Sequence, residues 1–411
     1  METADIHPRA PEDAGLLASP GPRKALAGFF VSGMLLAFLG AILPSWGHHL
    51  LSDYWMVGVY FVALLAGLTS ASRIAPCLLR NKGIGATLAI SCASASASLL
   101  ILAFFSLAFF PPALAAWWRL PGIALLGCAA GVLHTAIFHA ISPVYRHDPA
   151  ATVNLGGALF GFGCFTVALL ISRMFYMYTA AAIQIWLALI PGFFAIAYAR
   201  ARFAPCAVTL IQPPHELWAE LRSPDAVLFS LVLFFQFGNE WAIAGWLPLF
   251  LSQRLGLSPS TSILILALYW LALLVGRIAA QWILPLVRHA RLLAGCVLTA
   301  VFACVILIAT DNQFGAVTGV LLLGGAFAPI YPLVVERIGK RFPDYHPGLY
   351  NGIFSFAIAG GLLAPCALGY FAWLFGVRAV MGLPLAGSVI VFVLLVLAWL
   401  EARLHWSSQP Q

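Results

Sequence analysis

The stretch Phe234-Phe235-Gln236-Phe237-Gly238-Asn239-Glu240-Trp241-Ala242-Ile243-Ala244-Gly245-Trp246-Leu247-Pro248 lies inside an apolar run from about 227 to 251 and carries a carboxylate near its centre. A run of that length crosses the ~30 Å hydrocarbon core of a bilayer as one helix. At about 1.5 Å per residue, Glu240 stands roughly 20 Å along it, a little past the midplane. Ionisable groups at such depth are costly and are functional candidates by default. Gln236, Asn239 and Glu240 are spaced i, i+3, i+4, so the spacing predicts one shared face.

The composition around this stretch fits lipid as solvent. Of 411 residues, 62% are hydrophobic and 9% charged, against about a quarter charged in soluble domains. The net charge of +7 is spread between apolar runs and forms no basic patch, which argues against a nucleic-acid partner. Cys92, Cys128, Cys164, Cys296, Cys304 and Cys366 sit inside apolar runs, without a CxxC pair or Cys/His spacing. They read as small buried hydrophobes, with no disulfide, metal or other cofactor expected.

Apolar runs of about 20 residues recur near 25–46, 54–78, 84–110, 121–145, 151–173, 178–198, 225–251, 260–285, 291–310, 314–337, 348–375 and 379–402. They predict an all-α polytopic membrane protein with twelve spans, each satisfying its own backbone as lipid requires. Residues 1–24 read as a cytoplasmic tail without a cleaved signal, 25–198 as a six-helix bundle, 199–224 as a cytoplasmic linker, 225–402 as a second six-helix bundle and 403–411 as a second tail. With the N-terminus in the cytoplasm, only Arg119, Arg173, Arg254 and Arg378 of the 21 lysines and arginines fall outside, as the positive-inside rule expects. His215-Glu216-Leu217-Trp218-Ala219-Glu220-Leu221-Arg222 in the linker reads as a short amphipathic helix. Short outer loops without an Asn-x-Ser/Thr sequon fit a bacterial inner membrane, and the chain is expected to be a monomer.

The halves echo each other. Gly33, Gly40 and Pro44 recur as Gly238, Gly245 and Pro248, the glycines at a constant offset of 205. Leu125-Leu126-Gly127 and Asn154-Leu155-Gly156 match Leu322-Leu323-Gly324 and Asn351-Gly352-Ile353 at an offset of 197. Parallel halves with a site at their interface are the arrangement of alternating-access transporters.

Twelve spans, a central linker and two pseudo-symmetric halves resemble the major facilitator superfamily. Gly67, Arg73 and Arg80-Asn81-Lys82-Gly83 resemble that family's loop motif, with Ala71-Ser72 where its acid stands, and Gly276-Arg277 occupies the matching place in the second half. Gly131-Val132-Leu133-His134-Thr135-Ala136, Asn154-Leu155, Phe237-Gly238-Asn239-Glu240 and Ala328-Pro329-Ile330-Tyr331-Pro332 are similar to motifs of the branch containing the fucose-proton symporter. That resemblance implies a sugar-like solute and proton coupling. The positions acidic in that branch are His134 on span 4 and Gly40 on span 1 here, which leaves Glu240 the one acid well away from a helix end.

The candidate solute-binding residues are therefore His134, Asn154, Gln236, Asn239, Glu240, Tyr269, Tyr331 and Asn351. Amides donate and accept together, and aromatic faces cover apolar faces of a sugar ring. Glu240 and His134 are the candidates for carrying a proton, each with a plainer alternative as a hydrogen-bond anchor between helices. Trp241, Trp246 and Trp270 serve equally well as packing. Gly67, Arg73, Arg80, Gly83, Gly276 and Arg277 are the gating candidates; Arg73 and Arg277 are expected to snorkel to the cytoplasmic surface, leaving no arginine at mid-depth and favouring a neutral solute. Ser91 to Ser98, with serine and alanine alternating from Ala93, is read as a close-packing face. His48-His49 with Asp53 is read as a wet loop. The expected function is secondary or facilitated transport of a small uncharged hydrophilic solute. Alternatives are an exporter of amphipathic compounds on the same fold and a non-transporting sensor. An enzyme would need a nucleophile with a base, and none is seen.

Overall fold

The computed structural model of the chain describes residues 24–50, 53–107, 109, 111–147, 149–203, 224–283, 287, 289–341 and 347–407. Both predicted tails, apart from Lys24 and residues 403–407, lie outside the described residues, as does the amphipathic segment of the linker.

The helices are α1 (Gly28–Ile42), α2 (Tyr54–Phe104), α3 (Pro112–His147), α4 (Pro149–Met174), α5 (Ala180–Ala199), α6 (Pro224–Leu255), α7 (Pro259–Ile283), α8 (His289–Ala309), α9 (Gln313–Phe327), α10 (Ile330–Arg341), α11 (Pro347–Phe375) and α12 (Gly382–Ser407). Eleven stretches among the described residues are long and apolar enough to cross a membrane. One of them, α2, has 51 residues, or ~76 Å, more than twice the hydrocarbon core. It holds spans 2 and 3, separated at Gly83, whose φ of 78° and ψ of 174° are not helical.

The two limbs of α2 lie side by side. Gly67 on the first packs on the backbone of Ala124 and Cys128 of α3. On the second, Ser98 Oγ donates to the Gly122 carbonyl at 2.8 Å, and the Leu102 side chain covers Gly122. Both limbs therefore flank one stretch of α3, so the chain doubles back at Gly83. Ser96 Oγ donates to the Ala188 carbonyl of α5 at 2.9 Å, in keeping with the small-residue face read from the sequence. Span 10 is also divided, into α9 and α10, where Pro329 and Pro332 cannot donate to the carbonyls one turn earlier.

The architecture is all-helical, with twelve spans in two pseudo-symmetric halves and the repeated glycines at equivalent crossings. Gly127 packs on the backbone of Leu64 and Leu68, and its counterpart Gly324 on that of Tyr269 and Leu273. Gly33 of α1 meets the Phe160 carbonyl of α4, while Gly238 of α6 meets the Gly360 carbonyl of α11. Small residues permit this approach, which matters where lipid offers no hydrophobic drive between helices.

The halves meet closely at the end away from both termini. Gly40 lies on the backbone of Ala244 and Gly245, and Gly58 on that of Gly369. Phe61 stacks on Trp246 at 6.3 Å between ring centroids, Gln253 Nε2 donates to the His49 carbonyl at 2.6 Å, and Ser172 and Ser260 exchange hydrogen bonds of 2.8 Å. Arg254 pairs with Asp311 at 2.7 Å, bracing the same end of the second half.

Gly83→Ala places a side chain in a backbone region essentially reserved for glycine and is expected to cost about 1–3 kcal/mol. Gly295, with nothing within 4 Å of an added Cβ, is the control. Thermal unfolding in detergent should show a lowered midpoint for Gly83→Ala and none for Gly295→Ala; equal midpoints would remove the special role of Gly83.

Candidate functional site

Glu240 stands at the middle of α6 with the residue 5% exposed. One turn earlier, Gln236 directs its Nε2–H to Oε1 at 3.0 Å. Oε2 lies 3.8 Å from Arg277 Nη2 of α7. Arg277 Nη1 in turn donates to the Gly157 carbonyl of α4 at 3.4 Å, and a Cβ on Gly157 would stand 3.2 Å from that nitrogen. Gly157 thus lets a guanidinium of the second half reach a backbone of the first. Tyr269, fully buried, donates its hydroxyl to the backbone carbonyl of Glu240 at 3.4 Å.

Two expectations need correction. Arg277 does not snorkel to the surface: its side chain is 16% exposed and turns inward to the carboxylate, so a cation does stand at the depth of Glu240. A charge at each end of this short gap is less costly than either alone. Asn239 does not share the side chain environment of Gln236 and Glu240. It donates to Ser388 Oγ of α12 at 3.3 Å, because positions i+3 and i+4 are ~100° apart on a helix.

Aromatic residues flank Glu240 along the same stretch of α6. Trp241 stands 6.2 Å from Phe160 of the first half and 5.8 Å from Trp270. Tyr331, at the start of α10, meets the Phe237 ring edge-on at 5.3 Å. Tyr331, Trp241, Phe160 and Arg277 are all half-buried, whereas Gln236 and Glu240 are buried. Trp246, by contrast, is fully buried and donates its Nε1–H to the Pro365 carbonyl at 3.0 Å, a packing role.

His134 is placed between α1 and α3, its Nδ1 3.4 Å from Ser32 Oγ, with Phe29 and Phe138 edge-on at 5.7 and 4.9 Å. No contact joins it to the Glu240 group. The side chains of Asn154 and Asn351 lie outside the described residues. Among the gating candidates, Gly67 and Gly276 sit at helix crossings, Gly83 makes the turn, and Arg73 and Arg80 are exposed. Gly157 and Phe160 were missed; the Gly156-Gly157 pair following Asn154-Leu155 was their signal. A separate cavity of about 400 Å³, lined by Tyr54, Gln253, Trp373, Gly376 and Arg378 among others, lies at the closed end and is not formed by the Glu240 group.

Residues 229–411 match the sequence model of the Major Facilitator Superfamily. An uncharacterized transporter of the same family type from Yersinia pestis is 25% identical over 168 residues, 39% of this chain and 44% of that relative. The match thus spans less than half of the curated relative's length. Among solved structures, a nucleoside transporter superposes with a TM-score of 0.71 at 11% identity, covering 92% of this chain and 99% of that one. A D-xylose-proton symporter gives 0.69 at 15% identity over 90% and 96%, and the E. coli fucose:proton symporter 0.58 at 14% over 92% and 98%. At these identities the likeness establishes the fold: the chain has the major facilitator fold, and the proteins it matches are transporters, not enzymes.

Arg277→Met leaves Glu240 buried without its cation, a loss of about 3–5 kcal/mol. Adding Glu240→Leu should restore most of the unfolding midpoint in detergent. A double variant no more stable than Arg277→Met would mean that the two residues are not coupled.

Proposed function

We propose that this chain, an integral multi-pass protein with the major facilitator fold, is a secondary transporter that moves a small uncharged hydroxyl-rich solute by alternating access. The observation that carries the reading is the Gln236–Glu240–Arg277–Gly157 constellation. It spans the seam between the two halves at the middle of α6, while the halves are closed together at the end away from the termini. A carboxylate, an amide and a guanidinium offer acceptors and donors for hydroxyl groups. The faces of Trp241, Phe160 and Tyr331 supply apolar cover for a sugar ring. The solutes named for the three structural neighbours, a nucleoside, xylose and fucose, all contain such a ring.

Glu240 is the proton carrier in this reading. A proton on Oε2 cancels the charge facing Arg277, and the guanidinium is then held by Gly157 and the solute alone, so the contact joining the halves changes strength with protonation. The lysine and arginine distribution puts the termini in the cytoplasm, so the closed end faces outward. The ring pairs Phe237–Tyr331 and Trp241–Trp270 favour a second reading, export of amphipathic compounds.

Thermal shift in detergent against pentoses, hexoses, nucleosides and lipophilic cations separates the two. Stabilisation by a sugar or nucleoside is expected; stabilisation by lipophilic cations alone selects export. In proteoliposomes, an inward proton gradient should accelerate uptake of the stabilising solute, and Glu240→Gln should remove that acceleration while counterflow exchange persists. Uptake indifferent to the gradient in the unmutated protein would defeat the coupling.

A further inference from the structure

At the closed end, a second group of polar side chains is buried away from the Glu240 constellation. After α1, the turn Leu43–Trp46 leads into Gly47 at φ 87°, and the His48 N–H returns to the Leu43 carbonyl at 3.3 Å. That reversal directs His48 inward, contrary to the wet loop expected from sequence. His48 is 4% exposed, Trp46 8%, Tyr60 0% and Arg119 8%. The four side chains form one cluster. Arg119 Cζ lies 4.7 Å from the Trp46 ring centroid, and Tyr60 meets Trp46 and His48 edge-on at 5.6 and 5.5 Å.

Trp46 Nε1, both ring nitrogens of His48, Arg119 Nε and the neighbouring Ser45 hydroxyl have no hydrogen-bond partner, and the Tyr60 hydroxyl faces the Arg119 guanidinium, so that its oxygen can accept from Arg119 while its O–H is left to donate elsewhere. Indole and guanidinium nitrogens only donate, and each hydroxyl and the imidazole can turn one N–H or O–H the same way, so donors outnumber acceptors in the group and its one charge is positive. Arg119 takes part in none of the ion pairs found among the described residues. Asp53, the carboxylate nearby, is exposed and accepts from the Met56 N–H at 3.3 Å as the cap of α2. Burial, then Arg119, then His49 lower the pKa of His48 to about 4, so at neutral pH the imidazole adds a donor and no competing charge. A buried guanidinium without a counter-charge costs several kcal/mol, of which the cation–π contact with Trp46 returns only part.

We propose that Arg119, Trp46, Tyr60 and His48 form a binding site for a small inorganic monoanion of the chloride type. One fixed positive charge matches one negative charge, and the surrounding N–H and O–H groups replace the anion's weak hydration. The positive edges of aromatic rings add to the same field. A divalent oxyanion would bring a second charge that the cluster does not balance. The site adjoins the His49 carbonyl to which Gln253 of the other half donates, so a bound anion braces the loop on which the closed end rests.

The full-length protein in detergent would be titrated with sodium chloride against sodium gluconate at constant ionic strength, following the unfolding midpoint. A saturable rise with chloride is expected, reproduced by bromide and absent with gluconate. Tyr60→Phe keeps the ring and removes one donor to the anion, and should weaken the apparent chloride affinity about tenfold; Arg119→Gln should abolish the response. Should Arg119→Gln fail to fold, the wild-type and Tyr60→Phe titrations still decide. Identical chloride and gluconate curves, or a chloride response that Tyr60→Phe leaves unchanged, would overturn the site.

Discussion

A carboxylate at the centre of an apolar helix persists only where other groups compensate its desolvation, and the second half of this protein is arranged around that requirement. Gln236, one turn away on the same helix, supplies one hydrogen bond. Arg277 supplies the charge, though its own backbone lies toward the far end of α7. The guanidinium then has donors to spare, and one reaches a carbonyl of α4 across the seam. Compensating one buried charge thus creates a polar link midway along the seam, where the two halves otherwise meet through glycine backbones, aromatic rings and the polar bonds of the closed end. Any event that changes the charge on Glu240 changes what Arg277 does at the seam.

The glycine crossings explain why such a link can matter. Backbones approach closely at one end, Gly40 on Ala244 and Gly245 and Gly58 on Gly369, as small residues permit. The few polar bonds across them, Gln253 to His49 and the Ser172–Ser260 pair, are found at that same end. The seam therefore has a closed end and a central polar node.

Much of the fold was legible because span length is set by bilayer thickness, and apolar runs report it directly. The repeat was legible for a related reason: glycines at 33, 127, 238 and 324 recur where backbones must touch, and that need is the same in both halves. Errors arose where a one-dimensional reading assigns a direction. The depth of its backbone alone predicts a surface-seeking Arg277, yet its long stem equally allows an inward turn, and the guanidinium stands 3.8 Å from the buried carboxylate. Asn239 was assigned the face of Gln236 and Glu240, but the ~100° between adjacent positions turns it to Ser388. His48 followed a motif-free loop whose inward turn depends on the left-handed conformation of Gly47.

The two buried arginines show how context divides one residue type. Arg277 finds a carboxylate and a carbonyl, so its charge is balanced by the protein itself and can respond to a proton on its partner. Arg119 finds aromatic rings and other donors. Rings soften the cost of a buried cation without cancelling its charge, and no ion pair among the described residues does so. In the readings proposed above, the first site carries its own counter-charge and answers to protons, and the second takes its counter-charge from an anion. They lie at different depths: the node midway along α6, and the cluster beside the loop that holds the end closed.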